Sequence, residues 1–199
     1  MAQLGTETLA PPPRPRRPWW LLALVLVVVG VLVAAGAVVG LTAVRHHRAV
    51  TDVPTAAGLP RANPDGQAIA QQLKDRVGAK AGHNPVGLAF DDTAGGRSPV
   101  YLVGGRLGLF DDGAAALRAL TREFAVSAFR AFTGPVVFAD QPGGLAGGSQ
   151  RCTSVDVSGV RTAVCGWADR DTVGIAVSPL RTPEQLAEVL GRMRVDVER

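Results

Sequence analysis

The chain has 199 residues, 47% of them hydrophobic and 5% aromatic, and a formal net charge of +4. Residues 1–50 hold five arginines against one glutamate, whereas residues 51–199 hold sixteen basic and sixteen acidic residues, so the basic balance belongs to the first quarter of the chain. The neutral remainder lacks the basic face that phosphate-backbone contacts need, which excludes nucleic acid as the expected partner.

Residues 1–18 interleave Pro11, Pro12, Pro13, Pro15 and Pro18 with Arg14, Arg16 and Arg17. Proline removes backbone donors and fixes φ, so a disordered basic tail is expected here. Residues 19–44 then contain no Asp, Glu, Lys, Arg or His. A helix of that length reaches roughly 39 Å at about 1.5 Å per residue, enough to cross a hydrocarbon core of about 30 Å. Trp19 and Trp20 stand at its start, where indole rings prefer the interface. Arg14, Arg16 and Arg17 before it, against Arg45 and Arg48 after it, favour a cytoplasmic N-terminus by a small margin. The rival reading is a cleaved signal peptide with Ala35-Gly36-Ala37 as its A-x-A site. The apolar run is longer than the usual ~7–15 residues and continues well past Ala37, so an uncleaved anchor is expected. Gly36 and Gly40 form a G-x-x-x-G, which would let two such helices approach closely. The expected partners are therefore the lipid bilayer, another membrane or envelope protein, and a second copy of the span.

Residues 45–62, with Pro54, Gly58, Pro60 and no clear periodicity, read as a linker; His46 and His47 at its membrane end read as interfacial polar residues. Residues 63–199 then read as one extracytoplasmic domain. Asn63 can cap a helix with Pro64 in its first turn, Ile69, Leu73 and Val77 on its apolar face, and Gly78 as its stop. Val86 to Phe90 reads as a strand, and Val100 to Phe110 as a second extended stretch in which Gly104-Gly105 is either a bulge or a tight turn. Asp111 or Asp112 can cap a helix over roughly 113–132 with Leu117, Leu120, Phe124 and Ala128 on one face and Phe132 at its edge. Val136 to Ala139 is strand-like and 141–149 is a glycine-rich loop. Three antiparallel strands follow over 151–178. The last helix, about 183–196, opens with a Thr182/Gln185 capping box and turns Leu186, Val189, Leu190 and Met193 inward. Together these predict an α+β domain with an antiparallel sheet and about three helices packed on it.

The two cysteines, Cys152 and Cys165, test that reading. If Ser158-Gly159 is a two-residue turn, Val157 faces Val160, Asp156 faces Arg161 and Cys152 faces Cys165 in a closely spaced, non-hydrogen-bonded pair that accommodates a disulfide. One face of the hairpin then carries Val155, Val157, Val160 and Val164 toward the core, and the other carries Cys152, Cys165 and Trp167. A disulfide needs an oxidising compartment, which puts this domain outside the membrane and the tail inside.

Residues suited to chemistry are few. The domain holds one histidine, His83, in a Gly-His-Asn-Pro turn, with no G-x-S-x-G. Two cysteines and one histidine do not make a zinc set, and no metal or cofactor is expected. Asp91-Asp92, Asp111-Asp112 and the loop pair Asp169 and Asp171 are the acidic candidates, each explicable as a cap or turn. The leading expectation is a non-enzymatic binding or interaction module of the cell envelope. The alternative is a cell-envelope hydrolase using Asp91, Asp92, Asp111 or Asp112.

The run Gln141-Pro142-Gly143-Gly144-Leu145 to Gly148, then Arg151-Cys152, Val164-Cys165-Gly166-Trp167-Ala168-Asp169 and Val173-Gly174 before a final amphipathic helix, resembles a group of uncharacterised actinobacterial single-pass membrane-anchored proteins. The earlier Val103-Gly104-Gly105 and Asp112 ahead of a helix are compatible with that pattern. The resemblance covers about half of the chain, is specific only in its C-terminal third, and departs at the long glycine-rich approach and at Arg170-Asp171. It implies an extracytoplasmic domain with one disulfide and carries no activity.

Overall fold

The computed structural model describes residues 26–34, 48–92, 99–128, 136–144 and 146–199. The chain divides into two compact units, Met1–Arg45 and His46–Arg199. In the first, residues 26–34 are helical with exposed side chains, and no helix among the described residues is long and apolar enough to cross a membrane. The tail with Arg14, Arg16 and Arg17, the remainder of the run at 19–44 with Gly36 and Gly40, and His46 and His47 lie outside the described residues.

The second unit is α+β, built on a six-stranded antiparallel sheet. Its elements are β1 (Thr55–Ala56), β2 (Leu59–Pro60), α1 (Pro64–Val77), β3 (His83–Phe90), β4 (Val100–Arg106), α2 (Gly113–Ala128), β5 (Ala139–Gln141), β6 (Ser149–Val157), β7 (Val160–Ala168), β8 (Thr172–Pro179) and α3 (Pro183–Val197). The strand order is β3-β4-β8-β7-β6-β5, with β1 and β2 forming a separate small ribbon. The β6–β7 register is the expected one: Val157 pairs with Val160, Asp156 with Arg161 and Cys152 with Cys165. Ser158 and Gly159 both have positive φ, 54° and 84°, as a turn twisted to match its strands requires. Asp156 spends its carboxylate on Gly159 N at 2.7 Å, and Arg161 Nε donates to Ser154 Oγ at 2.9 Å.

Both faces of the sheet are buried, which corrects the expectation of one core face. On the first, α1 and α2 bring Val77, Leu117, Leu120 and Phe124 onto Val103, Val155, Val164, Val173 and Ile175. On the second, α3 brings Leu186, Val189, Leu190, Met193 and Val197 onto Phe90, Leu102, Trp167 and the Cys152–Cys165 bridge. A central sheet buried on both sides forms a continuous interior rather than an alternating one. The helix starts follow the capping chemistry: Asn63 Oδ1 accepts from Gly66 N at 2.9 Å, Asp112 Oδ1 accepts from Ala114 N at 2.9 Å, and Thr182 and Gln185 form a complete capping box.

Four local expectations change. Residues 48–62 are not a free linker: Val50, Val53, Ala56 and Ala62 are buried, Ala49 and Thr51 donate to the carbonyls of Arg199 and Val197 at 2.8 Å, and Ala57 N donates to Asp196 Oδ2 at 2.7 Å. The stripe of α1 is shifted in part: Val77 and the partly buried Leu73 face the core as expected, whereas Ile69 is 46% exposed and Gly66 and Ala70 take the inward positions. Small residues are needed there because the helix lies against β3; a Cβ on Gly87 would stand 2.5 Å from Ala70 O. Gly78 ends α1 as expected, as its C-terminal cap, and a separate 3-10 turn follows over Gly78–Lys80. Gly104-Gly105 is neither turn nor bulge; both residues stay paired with β8, and the irregularity lies on the facing strand between His83 and Val86. The sequence assigned a strand to 136–139, whereas β5 is Ala139–Gln141; Phe132 and the side chain of Ala128 lie outside the description.

Candidate functional site

The acidic residues singled out from the sequence lie at two ends of the sheet. Asp91 and Asp92 follow the last residue of β3, whereas Asp111 approaches His83, the first, with Oδ2 4.0 Å from His83 Nε2. Seven strand steps of about 3.3 Å separate those ends by roughly 23 Å. Carboxylates that work together across a glycosidic bond stand within about 9.5 Å. The two pairs therefore do not face one site.

Each has local work instead. Asp92 is buried and pairs with Arg181, which ties the end of β3 to the turn before α3. Asp111 Oδ2 accepts from Gly108 N at 2.6 Å, and Asp112, besides capping α2, stands 4.0 Å from Arg118. His83 and Asp111 border a hollow of about 520 Å³ with Lys80 and Asp112, and both side chains are open to solvent. Asp91 acts on the neighbouring Tyr101, whose phenol is pushed up chiefly by burial and secondarily by the Asp91 charge.

The most developed polar cluster was not visible in the sequence. Arg194, on α3, is wholly buried. Its Nε donates to Glu198 Oε1 at 2.8 Å and its Nη2 to Asp169 Oδ2 at 2.8 Å, while Nη1 donates to Gly147 O at 2.7 Å. The guanidinium carbon sits 5.8 Å from the centre of the Trp167 ring, a cation–π placement. Thr172 Oγ1 accepts from Trp167 Nε1 at 3.4 Å and has one hydrogen to share between Glu198 Oε1 at 2.9 Å and Asp169 Oδ1 at 3.2 Å. Asp169 Oδ1 also accepts from the backbone of Asp171 and Thr172. Burial pushes the Glu198 carboxyl above its ordinary pKa, and its bonds to Arg194 pull the other way.

This cluster joins four segments. Gly147 belongs to the glycine-rich loop, Asp169 to the β7–β8 turn, Arg194 and Glu198 to the end of α3, and Glu198 pairs through its backbone with Val50. A charge hub whose members are paired with one another in the interior holds chain segments in register. The signal for it was the position of Arg194: it continues the i, i+4 stripe of Leu186 and Leu190, where a charged residue has to be paired.

The Cys152–Cys165 bridge is formed, with Cα atoms 4.1 Å apart, and lies buried beneath α3. Nearby, Gln150 Nε2 donates to Ala187 O at 3.1 Å, pinning β6 to that helix. A hollow of about 460 Å³ lies between Pro142 and Gly144 on one side and Ala187 and Gly191 on the other, rimmed by Glu188 and Arg192. Its walls suit an apolar group and its rim charges already approach each other at 3.8 Å. Among the described residues, no group of three or more His, Cys, Asp or Glu is arranged to hold a metal ion.

The chain matches no protein-family model, no curated protein and no solved structure.

Proposed function

We propose that the chain is a single-pass membrane protein, anchored through residues 19–44 with a cytoplasmic N-terminus, and that its extracytoplasmic domain is a binding or interaction module of the cell envelope. The observation that carries this reading is the buried Cys152–Cys165 bridge across the β6–β7 hairpin. Such bridges persist in oxidising compartments, and the 26-residue run free of charged side chains supplies the crossing. The basic residues Arg14, Arg16 and Arg17 before the run favour the same orientation. The resemblance to actinobacterial membrane-anchored proteins agrees with it. The role of module rather than hydrolase rests on the carboxylates: the pairs at Asp91-Asp92 and Asp111-Asp112 stand at opposite ends of β3, each with local partners.

Two measurements test this. Alkaline phosphatase fused after Arg199 is expected to be active, because it folds only where disulfides form; an inactive fusion alongside an active cytosolic reporter would overturn the orientation. Affinity capture of the full chain from native membranes in mild detergent is expected to recover a stoichiometric partner. Recovery of partnerless chain, under conditions that preserve known complexes, would count against the interaction role.

A further inference from the structure

We propose that the Cys152–Cys165 bridge is a site of thiol–disulfide exchange, and that a low-molecular-weight thiol enters it at Cys152, across the short edge strand β5, while α3 stays seated. This reactivity is independent of how the chain is anchored.

The register puts the bridge in one row across the sheet. Ala139 pairs with Cys152, Cys152 with Cys165, Cys165 with Ala176, and Ala176 with Leu102. Directly opposed residues project from the same face, so the row shares the face that α3 covers. At one end, Cys165, Ala176 and Leu102 have no exposed surface. At the other, Ala139 is exposed and belongs to the outermost strand. The two sulfurs are therefore not equivalent. Cys152 is one strand, about 4.8 Å, from the edge, whereas Cys165 is two strands in with closed core behind it.

Displacement at a disulfide is in line: the entering thiolate approaches one sulfur from the side away from the other. For Cys165 that side holds Ala176 and Leu102, in the packed interior. For Cys152 it holds Ala139, whose side chain is a single methyl group at the sheet edge.

A hollow reaches the same side. The space of about 460 Å³ described above is lined by Gln141, Pro142 and Ala187. Gln141 pairs with Gln150, whose Nε2 lies 3.9 Å from Cys152 Sγ and donates to Ala187 O. Gln150 thus stands between the hollow and the bridge. Its amide is held on one side only, because Oε1 is buried with no hydrogen-bond partner among the described residues. An unsatisfied buried carbonyl is costly, and a shift of this side chain toward the hollow relieves that cost. β5, with three residues, is the shortest strand of the six-stranded sheet, and short edge elements open at low free energy.

The chemistry balances with the thiol as reductant. Its thiolate forms an S–S bond to Cys152 Sγ; the Cys152–Cys165 bond breaks, its electron pair leaves on Cys165 Sγ, and that sulfur takes a proton from water. A second thiol attacks the external sulfur of the mixed disulfide and frees Cys152. Two thiols are oxidised to one disulfide, and the bridge is reduced to two thiols.

The test treats the full chain in mild detergent with reduced glutathione, quenches with acid and blocks free thiols with N-ethylmaleimide. Trypsin, cutting after Arg151, Arg161 and Arg170, places the two cysteines in separate peptides. The expected result is a glutathione adduct about tenfold or more in favour of Cys152 over Cys165. A139F puts a large side chain on the line of attack and is expected to slow adduct formation about tenfold. In the wild type the rate is expected to stay level in urea below the unfolding transition. Adducts shared equally or mainly on Cys165, an unchanged rate in A139F, or a bridge that reacts only in proportion to the unfolded fraction would each overturn the proposal. The position of the adduct and the urea dependence are read on the wild type, so they decide the matter even if A139F fails to fold.

Discussion

Arg194 Nε lies 2.8 Å from Glu198 Oε1, one helical turn along α3, and neither side chain reaches solvent. With Asp169 on its other edge, Arg194 is the single cation between two carboxylates in this interior cluster. Replacing Arg194 with methionine keeps most of the volume but leaves two buried carboxylates without their counter-charge. Removing one partner of a buried pair costs about 3–5 kcal/mol. R194M is expected to lose stability in that range in urea unfolding, whereas R194M with D169N and E198Q is expected to recover more than half of the loss. Equal stability of the single and triple variants would show that Arg194 acts through packing and not through charge.

The same cluster makes stability depend on pH. Glu198 is held above its ordinary pKa of 4.5, chiefly by burial. Between that ordinary value and the raised one, the folded state binds more protons than the unfolded chain. The contribution of this group therefore falls as pH rises from 4.5 through the folded value. E198Q abolishes the titration, so the stability of E198Q relative to wild type is expected to rise across that window and to level off above it. Denaturation midpoints of the two proteins from pH 4 to 8 read this directly; a difference that stays constant with pH would sink it.

The hairpin was legible because its information is local. A two-residue turn, a period of two and a pair of cysteines are enough to place Cys152 opposite Cys165. The helix starts were legible for the same reason, since Asn63, Asp112 and Thr182 act within three residues of themselves. What escaped depends on distant partners. Asp92 meets Arg181 across 89 positions, and the burial of residues 48–62 depends on pairing with 196–199. The second buried face could not be read from β6 and β7 alone, because its cover comes from α3 and Val50. Gly104 reads from the sequence as part of a bulge or turn, but it faces Gly174 across β4 and β8, and the two form the slot that Trp167 fills.

That slot is tight enough to test. A Cβ on Gly174 would stand 2.1 Å from Trp167 Cη2 and 2.4 Å from Cζ2, and one on Gly104 would stand 2.9 Å from Cζ2. G174A must displace the indole or spread the sheet, and overpacking of this kind costs about 1–3 kcal/mol or more. The near-ultraviolet circular dichroism of the buried tryptophan is expected to weaken along with stability. W167F removes the clashing atoms, so W167F/G174A is expected to be more stable than the sum of the single losses predicts. Additive losses would mean that the ring and the glycine do not meet.

Tyr101 is the only tyrosine in the chain, so its titration can be followed without interference. It packs against Ala62, Ala70 and Ala89 and is held above the ordinary value of 10.0, first by burial and second by the charge of Asp91. The phenolate absorbance of the folded protein is expected to rise above pH 10, later than in the unfolded chain. D91N is expected to bring the midpoint down by the smaller part of the shift, because burial remains. Stability should correspondingly fall as pH climbs from 10 through the raised value, since only the folded state still holds the proton there. A midpoint at or below 10 in the wild type, or one that D91N moves upward, would contradict the placement of Tyr101 between the cluster of Ala62, Ala70 and Ala89 and the Asp91 carboxylate.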